Sequence, residues 1–160
     1  MSDDTIPMKE WLKAFQTAAG EYAESSMRFD TRADLADDGS RPGAYIAILS
    51  EHNSVHLGLS ASPAGLKALA HGVLSLRHEE TLTDRDVVDS VSEVMNIVAG
   101  KVKSAMSGRD GQLRLGLPMY IPSPIAAGPG METASTDLKL GPVSCRLSVY
   151  RRTREQRRAA

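Results

Sequence analysis

The chain carries a single cysteine among its 160 residues, so no disulfide can close within it and nothing calls for an oxidising compartment. Cys145 falls in the apolar alternation Val143, Cys145, Leu147, Val149, which marks a small buried residue rather than a reactive thiol. No apolar run approaches the ~20 residues that a membrane span needs. The opening Met1-Ser2-Asp3-Asp4 has neither the basic region nor the apolar run of a signal peptide. These absences predict a cytoplasmic protein without a membrane partner. Charge of one sign is missing too: 19 Lys and Arg against 20 Asp and Glu leave a net charge of -1. That balance argues against a nucleic-acid binder, which shows a basic excess, and against an acidic disordered chain. The balance is unevenly spread. Residues 151–160 hold five Arg and one Glu, a net of +4, while residues 1–150 hold 14 basic and 19 acidic side chains, a net of -5. We therefore expect one domain over residues 1–150 and a flexible Arg-rich tail over residues 151–160.

Self-contained hydrolytic chemistry is also missing. There is no G-x-S-x-G elbow and no G-x-G-x-x-G. Gly100-Lys101 invites a phosphate-loop reading, but Met95 stands where that motif needs Gly, and the pair falls inside a helical pattern. His52 and His56 are four apart in a turn-and-strand context where their side chains do not stack. No second His or Cys pair completes a metal spacing, so no metal site is expected.

What is present is an ordered series of elements. Trp11, Leu12, Phe15, Ala18, Ala19 and Tyr22 recur at helical spacing behind Pro7. Residues 27–35 alternate weakly and read as a strand. A loop at 37–43 is followed by two period-two strands, 44–50 and 55–60, which form a hairpin. Ser62 and Pro63 open a helix with Leu66, Leu69, Ala70, Val73 and Leu74 on its buried face. A longer helix spans 84–107, with Thr83 and Asp86 as a capping box and Gly108 as a left-handed C-cap. Strands are expected at 112–117, 132–140 and 142–150, with a Pro-rich loop after the first and a Gly141-Pro142 turn before the last. The order predicts a single α/β (α+β) domain, a mostly antiparallel sheet covered by the long helix and two further helices.

On a helical wheel the long helix divides cleanly. Val87, Val91, Val94, Met95, Val98, Val102, Ala105 and Met106 share one arc, which must face the core. Asp89, Glu93, Asn96 and Gly100 line the opposite side at i, i+4, i+7 and i+11. Asn is a poor interior helix former, and a mid-helix Gly costs roughly 0.5–1 kcal/mol against Ala. A helix built only for stability would favour Lys, Glu, Arg or Ala there. A plain solvated polar face remains the alternative reading of this spacing.

The segment Asp89-Ser90-Val91-Ser92-Glu93-Val94-Met95-Asn96-Ile97-Val98-Ala99-Gly100 resembles the signature helix of the CheX/CheC/FliY phosphatases of bacterial chemotaxis, with its D-x-x-x-E-x-x-N-x-x-x-G pattern. Leu115-Gly116-Leu117-Pro118 resembles the strand ending in Pro that follows that helix. The first helix carries no second E-x-x-N, so the single motif is similar to that of CheX. The resemblance implies a phosphatase of a phosphorylated CheY-like response regulator, acting as a homodimer. Glu93 would pair with the partner's lysine and Asn96 would orient the hydrolytic water, with Asp89, Ser92 and Gly100 forming docking surface. No cofactor of its own is implied, since Mg²⁺ would belong to the partner's phosphorylation site. A non-catalytic CheX-like binding or scaffold domain in a two-component pathway is the alternative.

Overall fold

The computed structural model describes residues 4–30, 35–77 and 80–160. The first helix, α1 (Met8–Ser26), starts behind Pro7, whose carbonyl accepts from the Glu10 and Trp11 amides at 3.0 and 3.4 Å. Trp11, Phe15, Ala18, Ala19 and Tyr22 form its buried face. The strand expected at 27–35 is not formed at residues 27–30 or at Leu35, and residues 31–34 lie outside the described residues. Instead Arg28 donates its amide to the Gly72 carbonyl at 2.9 Å, and the Phe29 ring packs over Gly72 and Gly141.

The hairpin is formed as expected from β1 (Gly43–Leu49) and β2 (Val55–Ser60). Its register places Ala44 opposite Leu59, Ile46 opposite Leu57 and Ile48 opposite Val55, all buried. The next helix, α2 (Pro63–Leu74), is capped by Ser62, whose side chain accepts from the Gly65 amide at 3.0 Å. Leu74, expected in the core, is 46% exposed, because α2 closes there through Ser75 in the left-handed region.

The long helix α3 (Asp84–Met106) carries the expected capping box between Thr83 and Asp86. Gly108 is not its left-handed cap: Ser107 ends it in right-handed geometry, with the Arg109 and Asp110 amides donating to the Met106 carbonyl. Ala105 is exposed rather than buried. Then follow β3 (Arg114–Leu115), β4 (Met119–Ile121), β5 (Met131–Leu140) and β6 (Val143–Arg152). The expected strand 112–117 is thus only two residues long, and β4 lies within what read as a Pro-rich loop.

All strand pairs are antiparallel, in the order β3-β1-β2-β6-β5 with β4 also on β1. Leu57 faces Val149 and Leu59 faces Leu147 across β2 and β6, so one sheet face is a continuous apolar layer. The helices cover that layer: α1 packs on β5 and β6, α2 on β6, and α3 on β1 and the β3–β4 edge.

The C-terminal boundary differs from the expected one. Strand β6 runs to Arg152 and a short helix, α4 (Arg154–Ala159), follows. Arg151 is 6% exposed; its guanidinium donates to the Ile6 carbonyl at 2.6 Å and to Glu132 at 3.2 Å. Arg157 donates to the Arg152 carbonyl at 2.6 Å. Part of the basic excess therefore ties the end of the chain to the domain.

Candidate functional site on the third helix

Helix α3 is held from both ends and from below. The Thr83 side chain accepts from the Asp86 amide at 3.1 Å, and Asp86 accepts from the Thr83 amide at 2.9 Å. Val91, Val94, Met95, Val98 and Val102 are at most 1% exposed, and each contributes about 1.5–3 kcal/mol by burial. A mid-helix Gly and an Asn together cost about 1–2 kcal/mol, which that apolar face easily offsets. The helix can therefore carry unfavourable residues on its outer side.

Three of the four stripe residues emerge as the spacing predicts. Asp89, Glu93 and Asn96 are exposed, whereas Ser92 and Gly100 are half-buried. Asp89 forms a loose i,i+4 ion pair with Arg85 at 3.8 Å, an exposed contact worth only a few tenths of a kcal/mol. Among the described residues, nothing hydrogen-bonds the Asn96 carboxamide or the Glu93 carboxylate. One turn apart, both keep their full hydrogen-bonding capacity for an incoming group.

Two neighbouring elements shape the surroundings, and neither is visible in the helical pattern. Helix α1 runs antiparallel to α3, its start joined to the end of α3 by the Glu10–Arg109 ion pair. At its far end, burial pushes the Tyr22 hydroxyl above the usual phenol range, and the Glu93 charge adds to that push. Glu93 thus stands near a buried aromatic ring. On the edge side, a Cβ at Gly100 would sit 3.9 Å from Leu115 Cδ1, so β3 flanks the helix there. Tyr120 of β4 shares a cleft with Asp84, Val87 and Val88 at the start of α3.

Among the described residues, no group of three or more His, Cys, Asp or Glu gathers to hold a metal, and no helix is long and apolar enough to cross a membrane. Cys145 is buried, its thiol pushed up to about 12, which leaves it no nucleophilic role near neutral pH.

A family model described as chemotaxis phosphatase CheX matches residues 43–128, more than half of the chain and all of the segment from β1 through β4. The chain belongs to that family. Solved structures with the same fold include a chemotaxis protein CheX from Vibrio vulnificus, 11% identical with a TM-score of 0.65, covering 91% of this chain and 99% of that one. The chemotaxis protein CheX of Desulfovibrio desulfuricans is 15% identical with a TM-score of 0.63, covering 88% and 95%. A CheX-CheY-BeF3-Mg complex from Borrelia burgdorferi is 12% identical with a TM-score of 0.63, covering 89% and 96%. No curated protein matches the chain. The fold is CheX-like, an open antiparallel sheet with its helices on one face.

Proposed function

We propose that this protein is a phosphatase of a phosphorylated CheY-type response regulator, and that it acts by inserting α3 into the regulator's phosphorylation site. The observation that carries this reading is the outer face of α3: a carboxylate and a carboxamide one turn apart, unbonded to the rest of the described chain, on a helix fixed by its caps and core. The family match supports the same substrate class.

The chemistry follows from the side-chain types. An amide does not titrate, so Asn96 cannot serve as a general base. It can hold a water in line with the phosphorus, gaining rate by positioning. Attack by that water forms the new P–O bond as the bond to the regulator's aspartate breaks, releasing the carboxylate and inorganic phosphate. Glu93 carries the charge to pair with the regulator's lysine and so set the register of the docked helix. Asp89, Ser92 and Gly100 supply docking surface, Gly100 by presenting no side chain. Mg²⁺ belongs to the regulator's phosphorylation site, and the place of action is then the cytoplasm. The homodimer the resemblance implies has an available route, since β5 ends the sheet with its outer edge unpaired among the described residues.

Phosphate release from a phosphorylated CheY-type regulator tests the reading. Asn96→Ala should return the rate to the regulator's own, while Glu93→Ala should weaken both binding and rate. Unaltered acceleration in both variants overturns it. Capture of the regulator without any change in phosphate lifetime identifies a binding domain instead.

A further inference from the structure

Leu117 is 89% exposed. A lone exposed leucine needs no explanation, but three observations set this one apart. The first is a bulge in the edge strand. Ile48 pairs with Leu115, and Ala44 pairs with Tyr120, so four steps along β1 are matched by five along the edge, one residue in excess at 117–118. A bulge re-aims a side chain, and Pro118 fixes it by offering no amide to the ladder.

The second observation is direction. A Cβ at Gly116 would lie 3.3 Å from the Ala47 Cβ, on the sheet face away from Ile46 and Ile48. Leu115 and Leu117, on either side of it, therefore lie on the sheet face that carries α3. The third is level. Leu115 lies against Gly100, and Tyr120 shares the cleft at Asp84 and Val87, so the edge runs antiparallel to α3. Two residues of strand advance ~6.6 Å, and four residues of helix advance ~6 Å. That brings Leu117 level with Asn96.

We propose that Leu117 is the apolar anchor that seats the phosphorylated receiver domain beside Glu93 and Asn96. The inference rests on the phosphatase reading and adds a second point of attachment to it. Glu93 and Asn96 are short polar contacts aimed into a wet, charged pocket, where they gain orientation more than affinity. Leu117 contributes affinity by burying its side chain against the same partner, and it fixes the rotation of α3 about its own axis. It touches neither the phosphate nor the water, so it governs binding and not the chemical step.

The test uses the full chain and a CheY-type regulator activated with beryllofluoride and Mg²⁺. Leu117→Asp should raise the Kd about tenfold, raise KM for the phosphorylated regulator to match, and leave kcat within about twofold. Leu117→Met should restore wild-type affinity. Asn96→Ala should do the reverse, losing kcat while keeping Kd. An unchanged Kd in Leu117→Asp alongside an inactive Asn96→Ala overturns the anchor and spares the phosphatase reading. A wild-type chain that does not accelerate phosphate loss overturns both. A change in the sedimentation of the free protein on Leu117→Asp assigns the residue to self-association and also overturns the anchor.

Discussion

Gly100→Ala separates the needs of the helix from the needs of its partner. The residue lies deep within the 23 residues of α3, where alanine is worth about 0.5–1 kcal/mol over glycine through the unfolded chain's entropy. The new Cβ would meet only Leu115 Cδ1, at 3.9 Å, an ordinary van der Waals contact that adds burial without strain. The expected gain is thus the full ~0.5–1 kcal/mol, or about 2–4 °C in Tm per kcal/mol for a chain of this size. Urea titration followed by circular dichroism measures it, and phosphate release from the regulator on the same sample measures function. We expect a more stable protein and, on the proposed reading that Gly100 is docking surface, several-fold weaker activity. A destabilised variant would refute the structural reasoning, and a stabilised variant of unaltered activity would refute close approach at Gly100. Gly43→Ala serves as the contrast. There the new Cβ would run into the Leu59 carbonyl oxygen and lie 2.9 Å from Ser60 Cα, backbone that cannot yield, and a loss of about 1–3 kcal/mol is expected.

Thr83→Ala removes the acceptor for the Asp86 amide and should cost about 1 kcal/mol in urea, with activity at saturating regulator retained. Arg151→Met strips the donor from the Ile6 carbonyl and from Glu132. Because Arg151 is buried, the loss should be about 2 kcal/mol or more, read as a lower urea midpoint. The Cys145 thiol, raised by burial from about 9 to about 12, should resist a thiol reagent until the chain unfolds. Its neutral form is the one the fold favours, so this contribution is complete below pH 9. It is lost as pH rises from about 9 towards about 12, where only the unfolded chain gives up the proton. A stability profile flat from pH 8 to pH 11 in wild type and Cys145→Ala alike would contradict that.

The elements legible in the sequence are those that local rules decide. The β1–β2 hairpin needs only period two and a polar turn, and α2 and α3 announce themselves by caps adjacent in sequence to the turns they serve. Long-range partners decide the rest. Strand β4 is three residues in a Pro-rich stretch, and it exists because β1 offers it an edge more than seventy residues away. Phe29 alternates with its neighbours like a strand residue, yet its ring is claimed by Gly72 and Gly141. The C-terminal arginines read as a solvated run because nothing local shows that Arg151 reaches Ile6, at the other end of the chain.

The same division runs through the candidate site. Asp89, Glu93, Asn96 and Gly100 belong to one helix, so a wheel suffices to align them, and the exposure of the first three follows from the burial of the opposite arc. Tyr22, whose hydroxyl feels the Glu93 charge, and Leu117 on the neighbouring sheet edge come from elements that meet α3 only in the folded chain. The extra residue that turns Leu117 outward is a mismatch between β1 and its edge partners, which neither strand encodes alone. A convex site makes such neighbours matter more than they would in a pocket. A pocket closes around its substrate, whereas a helix that inserts into another protein can orient its few polar groups only if the surface beside it fixes its rotation. On the proposed reading that surface is the bulged edge of the sheet, where Leu117 would seat the partner on which Glu93 and Asn96 act.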